Sequence, residues 1–176
     1  MYSINNTQAI VLKSYDSGEK DAAISLFTKE FGQLYAKVSG VRDLKSKHRY
    51  AIQDHSFINV SLIKGKAGWR ITSSSFIKSF YFDIEDKNKR DKILKILSLV
   101  KRFFLGEESN EKIFEDLISG FEKMNKSTTQ DELELREAET VICFLSDLGY
   151  VEKEYQGNSL KEIRKIINES IKMSDL

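Results

Sequence analysis

The chain has no proline, a single cysteine and two histidines among 176 residues. Cys143 alone can form neither an intrachain disulfide nor a cysteine-based zinc site. It stands beside Val141, Ile142 and Leu145 on what reads as an apolar helical face, where a thiol is expected as a small core residue rather than a nucleophile. Without proline, element boundaries rest on glycine and polar clusters. No run is long and apolar enough to cross a membrane, and Met1 to Asn6 lacks the basic and apolar regions of a secretion signal, so a cytoplasmic location is expected. The sequence contains no P-loop, no Gly-x-Gly-x-x-Gly, no nucleophile elbow and no His-Glu-x-x-His. His48 and His55 have no serine or cysteine at a recognisable spacing, and His55 reads as a surface or half-buried residue at a strand start. Glu85-Asp86, Glu107-Glu108 and Glu115-Asp116 fall at helix starts or on helix surfaces, where acids favour the macrodipole or face solvent. Neither an enzyme, nor a metal, nor a cofactor is expected.

What is present is a division of charge. Residues 1–82 hold 12 Lys+Arg against 6 Asp+Glu, and residues 83–176 hold 16 against 21. A basic module joined to an acidic one follows, at +6 and −5.

The first half reads as β. Thr7–Tyr15 alternates, with Ile10 and Leu12 opposing Val11 and Lys13; Ala22–Lys29, the stretch after Gly32, His55–Ile63 and Trp69–Ile77 supply four more strands. Glycine-bearing turns separate them, and the longest connection, Val41–Asp54, falls between the third and fourth, as in a five-stranded OB barrel. The second half reads as α. Apolar stripes run through Ile93, Ile96, Leu97, Val100 and Phe104; through Ile113, Phe114, Leu117, Ile118 and Phe121; through Leu135, Ala138, Val141, Ile142, Leu145 and Leu148; and through Leu160, Ile163, Ile166, Ile167 and Ile171. Thr129-Gln-Asp-Glu132 and Ser159-Leu-Lys-Glu162 are capping boxes. The expected class is α+β: an OB barrel over 1–82, then a helical domain of about four helices over 83–176.

Gly32–Arg49 carries the functional signal. Leu34, Ala36 and Val38 alternate with Tyr35, Lys37 and Ser39, and the strand breaks at Gly40 into a loop holding Arg42, Lys45, Lys47, His48 and Arg49. Lys13, Lys64, Lys66 and Arg70 extend the basic set. Such cations neutralise phosphates and release counterions, giving affinity without sequence information. Tyr35 and Tyr50 are candidates for base stacking, while Phe27, Phe57 and Trp69 are assigned to the barrel core. DNA and single-stranded RNA would be bound by the same physics. A protein-binding adaptor, whose barrel holds a peptide, is the alternative from another class.

The residues resemble the N-terminal domain of the RecO family of DNA repair proteins. The matching pieces are Ala9-Ile-Val-Leu12, Tyr15, Gly18-Glu19, Asp21, Leu26-Phe-Thr-Lys-Glu-Phe-Gly32, Lys37-Val-Ser-Gly40, Arg42 and Lys45-Ser46, with a looser match at Glu134-Leu-Arg136 and Leu145-Ser-Asp-Leu-Gly-Tyr150. The resemblance implies an OB fold with a helical domain behind it, and a bacterial, nucleoid-associated protein. It implies binding of single- and double-stranded DNA and annealing of complementary strands. It also implies work with RecR and with the C-terminal tail of single-stranded DNA-binding protein in loading the RecA recombinase. Local chemistry suggests Lys95, Leu99, Lys101, Arg102 and Phe103 for that acidic, apolar tail. Many members carry a four-cysteine zinc element after the Leu-Gly-Tyr segment; here Val151–Gly157 runs into the last helix, which reads as a short form without zinc.

Overall fold

A computed structural model describes residues 3–43, 45–46, 48–104, 106–151 and 159–173. The elements in chain order are β1 (Ile4–Asp16), β2 (Ala22–Thr28), β3 (Gly32–Val38), a short α1 (His48–Ala51), β4 (Ser56–Gly65), β5 (Gly68–Ser79), α2 (Lys87–Phe103), α3 (Glu111–Lys126), α4 (Gln130–Asp147) and α5 (Leu160–Met173). The chain separates into two compact units, Met1–Glu111 and Lys112–Leu176.

In the first unit the strands close a barrel in the order β1-β2-β3-β5-β4. All neighbours are antiparallel except β3 and β5, which meet in parallel at Ala36–Trp69 and Lys37–Arg70. With a helix between β3 and β4, this is the OB fold expected from the sequence. Its interior is filled from every strand, by Val11, Ile24, Leu26, Leu34, Ala36, Val38, Ile58, Val60, Leu62, Trp69 and Ile71. The alternation read in Gly32–Ser39 is intact: Leu34, Ala36 and Val38 are buried, and Tyr35 and Lys37 exposed.

Two strand assignments change. The register of β1 slips between Val11 and Lys13, so Leu12 is a bulge. Val11 pairs with Leu26 on the interior face and Lys13 with Ser25 on the outer one. Lys13 therefore leaves the side expected from strict alternation and joins the outer face, because one extra residue shifts the phase of everything after it. Phe27 and Phe57 are buried, but not inside the barrel. Ile10 pairs with both, so the three rise together on the outer face, opposite Ala9 and Val11. Phe27 meets Phe104 at 4.9 Å, ring centroid to centroid. This apolar row needs a cover, and α2 lies against β1 within the first unit. Helix α2 starts where Asp86 accepts the Lys89 N–H at 3.1 Å, and it buries Ile93, Ile96, Leu97 and Val100. The composition boundary at 82/83 thus falls inside the first compact unit.

Gly32 fixes the turn into β3. Its φ is +63°, and a Cβ there would sit 2.4 Å from the Glu108 carbonyl oxygen and 2.9 Å from that of Gly106. The neighbouring Gln33 N–H donates to the Gly106 carbonyl at 3.0 Å. Only glycine permits both the left-handed backbone and this close approach.

The second unit holds α3, α4 and α5. Gly120 lets α3 approach α4, where an added Cβ would lie 2.5 Å from the Thr140 hydroxyl. Ala138 and Ile142 pack against Ile163 of α5. Both capping boxes are present: Thr129 Oγ1 accepts from the Glu132 N–H at 3.2 Å, and Ser159 and Glu162 exchange side-chain-to-backbone bonds of 2.7 and 3.4 Å. The core stripe of α4 uses Leu133 rather than Leu135, which is exposed. Cys143 is half-buried, not an apolar-face residue, with its sulfur 3.8 Å from an Asp116 oxygen and 3.9 Å from one of Asp147. Residues 152–158, where the sequence departs from the family pattern, lie outside the described residues.

Candidate nucleic-acid interface

The outer face of the barrel gathers a set that no single motif announces. Tyr15, Ala23, Lys37 and Arg70 are successive partners across β1, β2, β3 and β5, so their side chains leave the same face. Lys13, Ser25 and Tyr35 form the adjacent row. Tyr35 is 57% exposed and Tyr15 39%, with ring centroids 6.4 Å apart at an interplanar angle of 44°. The Lys101 ammonium of α2 lies 5.4 Å from the centre of the Tyr15 ring. Two aromatic surfaces framed by Lys13, Lys37, Arg70 and Lys101 suit a single strand, whose bases stack while its phosphates meet cations.

Of the residues that share this face, the sequence singles out Lys13, Tyr35, Lys37 and Arg70 but not Tyr15, because uninterrupted alternation hides the bulge that turns it outward. The sequence sets Lys101 in a different site, and the structure brings that residue to this one. Lys13 is held by Asp54 at 2.6 Å, and this hydrogen bond raises its pKa. Asp54 also accepts the Ser14 N–H at 2.7 Å. Next to it, His55 has a φ of +66° and donates its backbone N–H to the Val11 carbonyl at 2.7 Å. Burial holds the His55 imidazole pKa below its ordinary 6.5.

The remaining basic residues separate. Lys64 shares the interior side with Leu62, reaches Glu107 at 2.6 Å and lies 5.1 Å over the Trp69 ring; that bond holds the Glu107 carboxyl below the usual range. Lys66 is exposed in the β4–β5 hairpin. Arg42 approaches Asp16 at 3.4 Å and, with Arg49, lines a polar cavity shared with Ser14 and Asp16. Lys45 is exposed, His48 Nδ1 lies 2.8 Å from the Ser74 hydroxyl, and Lys47 is outside the described residues. Arg42 and Arg49 thus come together beside α1 rather than on the row of Tyr15 and Lys37. On α2, Lys95 and Arg102 are exposed and Leu99 is half-buried, whereas Phe103 is buried beneath the Arg102 guanidinium, 5.2 Å away.

A second outer face has different chemistry. Asn6, Ser61 and Ser73 form one row across β1, β4 and β5, and Gln8, Asn59 and Ser75 the next. Ser61 donates to Asn6 at 2.8 Å and Ser73 to Ser61 at 2.8 Å. In the second unit, Asp116, Cys143 and Asp147 come close enough to hold a cation, but the Lys112 ammonium already bonds both carboxylates at 2.8 and 2.6 Å, and these bonds drive its pKa up. No described helix is long and apolar enough to cross a membrane.

Residues 1–80 match the family described as recombination protein O, N terminal. The chain is 32% identical over 127 residues to the DNA repair protein RecO of Dehalococcoides mccartyi strain 195, covering 72% of this chain and 50% of that protein. It is 30% identical over 163 residues to the RecO of D. mccartyi strain CBDB1, covering 92% and 63%. To the RecO of Clostridium novyi strain NT it is 26% identical over 148 residues, covering 84% and 58%. The chain thus spans about half to three-fifths of the length of these relatives. With an OB barrel occupying the matched segment and similarity reaching into the helices, the chain belongs to the RecO family.

Proposed function

We propose that this chain is a DNA-binding module of repair and recombination, which binds and anneals strands by neutralising charge and stacking bases, without catalysis of its own. The observation that supports it best is the outer barrel face, where Tyr15 and Tyr35 stand among Lys13, Lys37, Arg70 and Lys101. Bringing two polyanions together requires their repulsion to be screened, and releasing condensed counterions supplies the driving force. Such a face needs no nucleophile and no metal.

The same proposal assigns the family's partners, RecR and the tail of single-stranded DNA-binding protein, to this chain, and a cytoplasmic, nucleoid-associated location with them. Lys95, Leu99 and Arg102 recur on one side of α2 and suit an acidic, apolar tail.

The test is fluorescence anisotropy of labelled oligonucleotides: single-stranded DNA, duplex DNA and RNA, each at two salt concentrations. We expect binding to single-stranded DNA that weakens steeply with salt, losing about 0.7 of a log unit per log unit of salt for each phosphate engaged. Tighter binding to RNA would move the chain to RNA handling. No binding to any of the three would overturn the proposal and favour an adaptor that binds protein.

A further inference from the structure

Tyr50 is the most exposed large apolar side chain of the described residues, at 68%, and it is not on the face described above. It belongs to α1, the short helix between β3 and β4. Its ring rests on Phe76 of β5, with centroids 5.0 Å apart at 57°. Phe76 pairs with Ile58, an interior residue, and packs against the barrel core. His48 Nδ1 ties the same helix to Ser74 at 2.8 Å. An exposed ring is therefore mounted on a rigid support, which reduces the entropy lost on stacking. Cations lie close to it in the chain. Arg49 precedes it, Lys45 is exposed in the same loop, and Arg49 shares a cavity with Arg42 and the Ser14 and Asp16 side of β1. The acid facing Arg42 is Asp16 at 3.4 Å, a pair with both side chains open to water, so a phosphate can compete for the guanidinium at little cost.

We infer that the α1 end of the barrel is a second nucleic-acid contact surface, in which the Tyr50 ring stacks on a base and Arg42 and Arg49 take the adjacent phosphates. This rests on the reading of the outer face as a DNA interface. It adds a second point of attachment, on the element that caps the barrel rather than on its side. A strand long enough to reach both is held twice, and the second contact gains from effective concentration.

The full chain, with Tyr50→Ala, Tyr50→Phe and Tyr35→Ala, is titrated with a thymidine oligonucleotide of about 20 nucleotides, beyond the roughly 4–16 covered by one OB barrel. In parallel, the same oligonucleotide carrying 5-iododeoxyuridine is photocrosslinked to the wild-type chain and the attached residues are read by mass spectrometry. We expect Tyr50→Ala to weaken binding about tenfold, the lower part of the range for one stacked base. Tyr50→Phe, which keeps the ring, should bind like wild type. Crosslinks should appear at both Tyr35 and Tyr50. An unchanged melting temperature in Tyr50→Ala separates lost stacking from lost fold. If Tyr50→Ala binds as wild type and crosslinks reach Tyr35 alone, the second surface is wrong and the outer face stands. If wild type binds none of the oligonucleotide, both fall together.

Discussion

On the face shared by β1, β2, β3 and β5, the outward positions hold Lys13, Tyr15, Tyr35, Lys37 and Arg70. On the face shared by β1, β4 and β5, they hold Asn6, Gln8, Asn59, Ser61, Ser73 and Ser75. Both are built on the same barrel around the same interior, so neither burial nor strand propensity distinguishes them. The difference is that hydroxyls and amides satisfy one another across strands, as Ser61 does with Asn6 and Ser73, whereas the like charges of Lys37 and Arg70, partners across β3 and β5, leave repulsion for an anion to relieve. On the proposed function, a polyanion would meet one attractive side and one indifferent side, and that asymmetry would restrict the path a strand can take.

The strongest way to break the comparison is to remove the frame both faces share. Gly32→Ala puts a Cβ against the Glu108 carbonyl at a positive φ. We expect a loss on the order of 3 kcal/mol or more in urea unfolding, with both faces lost together. Next in size, Lys37→Glu with Arg70→Glu should weaken single-stranded DNA binding by roughly a hundredfold at low salt and flatten the salt slope by about 1.4, the share of two phosphates. Ser61→Glu with Ser73→Glu, the matching change on the other face, should alter affinity by no more than about threefold. Tyr35→Ala should cost about 1–3 kcal/mol of binding, the range for one stacked base. Asn59→Ala at an equally outward position should leave the titration curve unchanged.

The smallest expected effect lies at the edge of the basic face. Burial disfavours the charged His55 imidazole, so its folded pKa lies below 6.5. The folded state then takes up fewer protons than the unfolded one, and stability falls as pH drops below 6.5 toward that folded value. Melting temperature followed from pH 7.5 to 5 should show this slope, and His55→Asn, which tolerates the same positive φ, should lack it.

Local features were legible in the sequence and non-local ones were not. Ser159 and Glu162 could be paired on sight, because a capping box closes within four residues. The alternation of Leu34, Ala36 and Val38 against Tyr35 and Lys37 also held, since β3 has one buried and one open face. Phe27 and Phe57 were expected inside the barrel because a buried aromatic looks the same in sequence on either side of a strand covered on both. The cover is α2, and only the folded chain shows it. Leu133 could not be distinguished from Leu135, as both fit a helical stripe until Gly120 brings α3 against α4. On the candidate site, the sequence named four of the cations and rings, but it could not foresee that Tyr15 and Lys101 join them, nor that Arg42 and Arg49 gather elsewhere.

The bulge at Leu12 has a consequence for altering this protein. It divides β1 into two segments of independent phase. Ile4–Ile10 pairs with β4 and closes the barrel, while Lys13–Asp16 pairs with β2 alone. Before Leu12 the chain is in register with both β2 and β4, and after it with β2 alone. A residue added between Lys13 and Tyr15 would therefore turn Tyr15 from the outer face to the inner one while the seam between Ile4–Ile10 and β4 keeps its register.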